Sequence, residues 1–342
     1  KRYYPDSESV AHLVGRTNID DKGVEGIELA YDSWLRGDQG KELVRKDRLG
    51  RTISKSETIV AAKNGNDLFL SIDKKDQAVA YDVLAKGVEE SGAKSGSLVV
   101  LDAKTGEVLA LTNYPSYNPN DTKNIKIEQL RNRAVTDLFE PGSTVKPFSM
   151  LYALESGKHN VDEKVYIGKG RLELEGHVIT DVHNREDKIS LTDILVHSSN
   201  VGIAKLILDT PVSEYIARLT SFGFGESSGS GFPGEPSGTV IDSVRQGSFD
   251  QASLSYGYGT SITLLQLARA YMNLASCGSV RNINLLKNET EINSSRKENI
   301  DSANCKIVHG MMAKVTEPGG TGFRAAVKGF SVAGKTGTSY IA

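Results

Sequence analysis

Two cysteines in 342 residues, Cys277 and Cys305, cannot build a metal site by themselves and stand too far apart for a redox motif. They read as two ordinary thiols; an oxidising compartment would permit a disulfide, but their spacing gives it no support. The six histidines, His183, His197 and His309 among them, show no H-x-x-x-H or comparable ligand spacing, so no catalytic metal and no cofactor is expected. A formal net charge of −2 leaves no case for nucleic acid as a partner. No run approaches the roughly 18 apolar residues of a membrane-spanning helix, and no signal peptide heads the chain. It begins abruptly at Lys1-Arg2-Tyr3-Tyr4-Pro5 without an initiating methionine, as the excised outer part of an anchored protein would. Low-complexity tracts and internal repeats are also missing.

The remaining composition is globular, with 38 % apolar and 25 % charged residues and a length that suggests about two domains. The first 60 or so residues are short, mixed and punctuated by Gly15, Gly23, Gly26, Gly37, Gly40 and Gly50, the pattern of an irregular accessory module. Within it Arg45-Lys46-Asp47-Arg48 reads as a solvated loop. From Asp67 the pattern changes to a strand ending near Asp73, then a helix carrying Val79, Ala80, Val83, Leu84 and Val88. A hairpin follows, Ser97 to Leu101 and Glu107 to Leu111 around Gly106. The partition is therefore 1–62 for the accessory module and 63–342 for the second domain. Helices with an apolar face are expected near 143–156, 190–197, 201–209, 263–276 and 302–316, and a final strand, Phe330 to Ala333, leads into Lys335. Strands at both ends with helices between them imply an α+β fold, mixed helices on an antiparallel sheet.

Three short signals stand in order: Ser143-Thr144-Val145-Lys146, Ser198-Ser199-Asn200 and Lys335-Thr336-Gly337-Thr338. Singly each is weak, because S-x-x-K recurs at Ser71, Ser91 and Ser294, S-x-N at Ser116 and Ser302, and K-T-G at Lys104. Context separates them. Pro141-Gly142 delivers Ser143 to the mouth of a helix whose apolar side carries Val145, Phe148, Leu151, Tyr152 and Leu154. There Ser143 and Lys146, three apart, share a face, and the free N-terminal amides favour developing negative charge. Ser71 ends the strand-like run, Ser91 and Ser294 lie in solvated polar stretches, and Lys104-Thr105-Gly106 is a hairpin turn. Ser190-Leu191-Thr192-Asp193 reads as a helix cap, with Ser198 to Asn200 as the loop beyond that helix.

The three signals describe acyl transfer. A serine hydroxyl needs a base near neutral pH, and Lys146 serves only when neutral, a state favoured by burial and by Lys335 across the cleft. Ser198 is placed to pass the proton to a leaving group, Asn200 to orient Lys146 and bind a substrate amide, and Lys335 and Thr336 to hold a carboxylate. Gly337 lets a substrate backbone lie close against an edge strand, and the backbone amides of Ser143 and Thr338 form the oxyanion hole. His197, beside the second motif, either lines the cleft or, the preferred reading, only packs there.

The chain resembles the class B penicillin-binding proteins over nearly its whole length. Beyond the three motifs the resemblance rests on Arg2-Tyr3-Tyr4-Pro5, His12-Leu13-Val14-Gly15, Gly23-Val24-Glu25-Gly26, Arg131-Asn132-Arg133-Ala134, Phe139-Glu140-Pro141-Gly142, Ser255-Tyr256-Gly257-Tyr258-Gly259 and Glu317-Pro318-Gly319-Gly320. It implies a penicillin-binding, β-lactamase-like transpeptidase domain on a non-catalytic N-terminal pedestal of the dimerisation type. It further implies a bacterial inner-membrane protein whose periplasmic part crosslinks peptidoglycan stem peptides ending in D-alanyl-D-alanine. β-Lactam antibiotics would acylate Ser143. The septal glycosyltransferase FtsW and other division proteins would engage the pedestal, and Asn200 favours septum over side wall. In this family strands and a helix follow K-T-G, whereas the chain ends at Ala342, so those strands and that helix are expected to be missing.

Two rivals share parts of the pattern. A class A β-lactamase expects Ser-Asp-Asn and E-x-x-L-N; this chain has Ser198-Ser199-Asn200, and its nearest imitation, Glu289 to Asn293, reads as a surface loop. A β-lactam sensor would keep the same residues and bind without turnover. Peptide crosslinking distinguishes it from a transpeptidase.

Overall fold

The computed structural model describes residues 2–121, 123–182, 186–241, 247–277, 279–287, 296–297 and 300–339. Short helices α1 (Ala11–Val14), α2 (Gly26–Ala30) and α3 (Asp32–Leu35) open the chain, followed by an antiparallel hairpin of β1 (Lys41–Lys46) and β2 (Thr52–Val60). None of the described residues of its two strands is buried, Val44 alone being half-buried, so strands stand where the sequence suggested irregular structure and a loop. Alternation marks a strand only when one face is buried, and here neither is.

Helix α4 (Lys74–Ser91) starts at Asp73, whose carboxylate accepts the amides of Lys75 and Asp76, and stops at Gly92 in the left-handed region. Its inner face is Gln77, Ala80 and Val88, while Val79 and Val83 are exposed. Gln77 fixes the helix to the next hairpin by exchanging two 2.9 Å hydrogen bonds with the backbone of Leu111. That hairpin, β3 (Gly96–Leu101) and β4 (Val108–Tyr114), turns at Asp102 to Gly106 as its sequence predicts.

Helices α5 (Ile127–Leu130), α6 (Arg133–Thr136) and α7 (Lys146–Glu155) lead to two small antiparallel pairs. These join β5 (Lys164–Tyr166) to β8 (Lys188–Ser190) and β6 (Arg171–Leu174) to β7 (His177–Thr180). Next come α8 (Leu191–Val196), α9 (Asn200–Leu208), α10 (Val212–Ser221), β9 (Thr239–Val240), α11 (Ser248–Ser255), β10 (Thr260–Ser261) and α12 (Leu264–Ser276). The pair β11 (Ser279–Val280) and β12 (Arg296–Lys297) precedes α13 (Ser302–Val315). The expected helices are all present within a residue or so, and the fold is α+β.

Two apolar cores hold these elements. The larger gathers α7, α8, α9 and α13 around Val145, Phe148, Leu151, Ile203, Ile207 and Val308; Phe148 meets Phe222, Phe224 and Tyr271 edge-on at 5.0–5.3 Å. Such aromatic burial contributes about 2–3 kcal/mol per side chain before edge contacts are added. The smaller core joins Leu13 and Ile27 to Val108, Leu111, Val135, Leu265 and Leu285, so the opening helices share a core with the β3–β4 hairpin.

Two expectations are corrected. Cys277 and Cys305 are not ordinary thiols; they form a disulfide with Cα atoms 5.8 Å apart, joining the end of α12 to α13. The meeting of the end of α12 with α13, not the linear spacing of 28 positions, makes the pair. The final strand is likewise absent: residues 331–339 are irregular, and no sheet unites the two ends of the chain among the described residues. A strand needs a paired neighbour for its ladder, and no described strand hydrogen-bonds to this segment. Instead Gly334 N donates to Met312 O at 3.2 Å and Thr316 Oγ1 to Val332 O at 2.7 Å, fastening the segment to α13. Among the described residues no helix is long and apolar enough to cross a membrane.

Candidate active site

The nucleophile candidate is delivered by two glycines in contact. Gly142 (φ +53°) donates its amide to Gly257 O at 3.2 Å, and a Cβ on Gly257 (φ +93°) would lie 2.0 Å from Gly142 O. Only glycine permits this approach in the left-handed region. Ser143 then sits half-buried in a 3₁₀ turn, Gly142–Val145, that runs into α7 at Lys146. Tyr271 of α12 donates to Thr144 O at 2.7 Å and anchors the turn from behind.

Lys146 is completely buried, and its Nζ lies 2.6 Å from Ser198 O, 3.1 Å from Ser198 Oγ and 2.7 Å from Asn200 Oδ1. Ser143 is not among its hydrogen-bond partners in this structure. Lys335 reaches the same hydroxyl from the other side, 2.9 Å from Ser198 Oγ, and also donates to Thr336 O at 2.9 Å. Ser198 therefore bridges two lysines. Its backbone lies in the left-handed region (φ +57°), which costs a non-glycine residue of order 1 kcal/mol and aims both its carbonyl and its hydroxyl at Lys146.

Burial, and after it the neighbouring Lys335 charge, holds the Lys146 ammonium well below the ordinary lysine range, against a smaller opposing pull from Asp181. Burial also lowers Lys335, to about 8. Burial and the Lys335 charge both favour the neutral form of Lys146, the form a base requires.

Asp181, just beyond β7, carries no signal in the sequence. One carboxylate oxygen accepts Ser199 Oγ at 2.6 Å, and the other accepts the amides of Asn200 and Val201 at 2.6 and 3.0 Å. These bonds cap α9 and set the second motif. Asn200 Nδ2 is taken by Thr180 O at 3.1 Å, so its amide nitrogen faces β7 here, not an open substrate position. Thr336 Oγ1 pairs with Thr321 Oγ1 at 3.1 Å, a second residue that carried no local signal. Thr336, Gly337 and Thr338 are exposed, and the Thr338 carbonyl lies close to Gly142. A Cβ on Gly337 would lie 2.7 Å from Thr144 Cγ2, so its lack of a side chain serves packing against the Ser143 turn.

The competing motifs fall away. Ser71 is buried and donates to Val108 O and Asn284 O in an isolated bridge region, not a strand, and Ser91 ends α4 instead of lying in a turn. His197 is exposed beyond α8, not packed. His183, Ser294 and the Glu289–Asn293 imitation lie outside the described residues.

A buried lysine tied to Ser-Ser-Asn, with a second lysine across the same hydroxyl and a serine at a helix mouth, is the arrangement expected of a serine acyltransferase site of the penicillin-recognising kind. The chain belongs to the class B penicillin-binding proteins: residues 96–342 match the penicillin-binding protein transpeptidase domain and residues 1–70 the penicillin-binding protein dimerisation domain. It is 42 % identical over 99 % of its length to the peptidoglycan D,D-transpeptidase FtsI of Escherichia coli K12, covering 57 % of that protein. It is 40 % identical, again over 99 %, to the probable peptidoglycan D,D-transpeptidase PenA of Neisseria meningitidis serogroup A, covering 58 %. The chain thus spans less than two thirds of the length of these relatives. Among solved structures, the transpeptidase domain of Burkholderia pseudomallei penicillin-binding protein 3 superposes with a TM-score of 0.72 at 35 % identity, covering 80 % of this chain and 78 % of that one. A Burkholderia ambifaria peptidoglycan glycosyltransferase does so with the same score at 37 % identity, covering 79 % and 81 %.

Proposed function

We propose that this chain is the pedestal and catalytic portion of a septal peptidoglycan D,D-transpeptidase, with residues 1–62 as pedestal and 63–342 as the transpeptidase domain. The observation that carries the reading is the completely buried Lys146 sharing Ser198 with Lys335.

In this reading neutral Lys146 takes the Ser143 proton as Oγ attacks the penultimate D-alanyl carbonyl of a stem peptide. The oxyanion is held by the amides of Ser143 and Thr338. Collapse breaks the peptide bond, and the departing D-alanine nitrogen receives the proton from Lys146 through Ser198. Lys335 and Thr336 hold the donor's terminal carboxylate, and Asn200 keeps Lys146 in place. An acceptor amine then attacks the Ser143 ester, completing the crosslink and restoring the hydroxyl. β-Lactams enter the first half and stall at the ester. In the same reading the whole protein is held at the bacterial inner membrane with this portion in the periplasm, and FtsW and other division proteins are its partners, as the resemblance to the class B penicillin-binding proteins implies.

The test is fluorescent penicillin labelling of the purified chain beside Ser143→Ala, followed for hours, with a donor and acceptor peptide assayed in parallel. Stable label absent from the mutant, together with crosslinked peptide, is the expected result. No label on a folded wild-type chain would sink the assignment. Rapid loss of label would make it a lactamase, and label without crosslinking a sensor.

A further inference from the structure

At the C-terminal end of α12, His309 stands against the Cys277–Cys305 disulfide. Its Nε2 lies 3.6 Å from Cys305 Sγ and 3.7 Å from Cys277 Sγ, and 3.0 Å from Leu274 O. The two sulfurs and an imidazole nitrogen all fall within 4.8 Å of one another. Cys305 and His309 are four apart on α13, which puts them on one helix face, and Cys277 is brought to them from the end of α12. Cys305 is fully buried, Cys277 and His309 half-buried, and His309 also lines a cavity of about 700 Å³ that offers an entry path.

We propose that Cys277, Cys305 and His309 are a thiol-gated metal site: closed as a disulfide when oxidised, and a two-thiolate, one-imidazole site for zinc or a comparably soft divalent ion when reduced. The geometry is already close. A tetrahedral ion with bonds of about 2.3 Å to sulfur and about 2.0 Å to nitrogen has nitrogen–sulfur edges of about 3.6 Å. Both separations from His309 match that edge, so opening the S–S bond leaves only the sulfurs to part. His309 exchanges its contact with the Leu274 carbonyl for the ion. Three protein ligands leave a fourth position for water.

The chemistry balances in two steps. A dithiol reductant supplies two electrons and two protons, breaking the Cys277–Cys305 bond and closing its own disulfide. The ion then displaces the two thiol protons, giving the neutral pairing of two thiolates with one divalent cation. The Sγ atoms cannot serve as thiolate ligands while bonded to each other, so the two states exclude one another.

The experiment begins with thiols counted in the untreated, unfolded chain. It continues with Co²⁺ titration of oxidised and phosphine-reduced folded protein, in wild type and His309→Ala, with Zn²⁺ as competitor. Retained penicillin labelling and a cooperative melt show that the reduced chain is folded. The expected result is no free thiol at the start and no Co²⁺ band in the oxidised chain. One equivalent should give thiolate-to-cobalt charge transfer after reduction, abolished by Zn²⁺, with affinity at least about tenfold lower in His309→Ala. Two free thiols in the untreated protein, no band in folded reduced wild type, or equal affinity in His309→Ala would each overturn the proposal. Cys277→Ser, which keeps Cys305 and His309, should also lose the charge-transfer band; its persistence would place the ion elsewhere.

Discussion

Asp181 holds Ser199 through a 2.6 Å hydrogen bond while its other oxygen caps the amides of Asn200 and Val201. The pair fixes the residue on either side of which Ser198 and Asn200 meet Lys146. Asp181→Ala is expected to slow penicillin acylation about 10- to 100-fold and to lower stability by about 2–3 kcal/mol, the range for losing hydrogen bonds to a charged acceptor. It should also shift the acid limb of the acylation pH profile to lower pH, because the Asp181 charge raises the Lys146 pKa. Stopped-flow acylation against pH checks both, and an unmoved limb would leave Asp181 a merely structural cap.

Acylation by a carboxylate-bearing β-lactam should be bell-shaped in pH. The rising limb reports Lys146 losing its proton, well below the ordinary lysine range, and the falling limb reports Lys335 losing its charge near pH 8. Lys335→Ala removes the cation that depresses Lys146, so the Lys146 pKa rises. The rising limb must then move to higher pH and the falling limb near 8 must vanish, both readable from second-order acylation constants.

Tyr271→Phe deletes one hydroxyl that donates to the carbonyl beside Ser143. A cost of about 1 kcal/mol in stability is expected from the lost hydrogen bond. Because the tie is to the nucleophile's own turn, acylation should slow by about tenfold, the rate equivalent of about 1.4 kcal/mol. Urea titration and labelling kinetics on the same preparation compare the two.

Gly257→Ala places a methyl 2.0 Å from the Gly142 carbonyl at a positive φ. Neither backbone can yield without moving Ser143. The variant should lose about 2 kcal/mol or more and label poorly even at low temperature where it is folded, whereas alanine at Gly87, which meets nothing within 4 Å and sits inside α4, should be neutral to stabilising. Thermal melts with labelling at 4 °C distinguish loss of fold from loss of site.

Much of the site is legible because its chemistry is written locally. Ser143 and Lys146 lie one turn apart behind Pro141-Gly142, and Ser198 to Asn200 fall between two apolar helical runs. Asp181, Thr321 and Tyr271 are illegible for the opposite reason: each reaches its partner across 15 to 127 residues with no pattern around it to mark the contact. The disulfide is hidden in the same way, being made by the ends of two helices. The β1–β2 hairpin escapes because it buries neither face, and the strand expected at Phe330 to Ala333 fails because a ladder is a property of two segments, not one. Helix α4 shows the converse: its apolar Val79 and Val83 face solvent, and the polar Gln77 does the docking.

The β1–β2 hairpin shares its ladder with no other described strand, and nothing in either core passes through it. A peptide bond cut in its Asp47–Gly50 turn would therefore cross no tertiary contact that supports Ser143, Lys146 or Lys335. Brief proteolysis should nick this turn first, and the two fragments should migrate together in native gels and still take up penicillin, held by Leu13 and Ile27 in the smaller core.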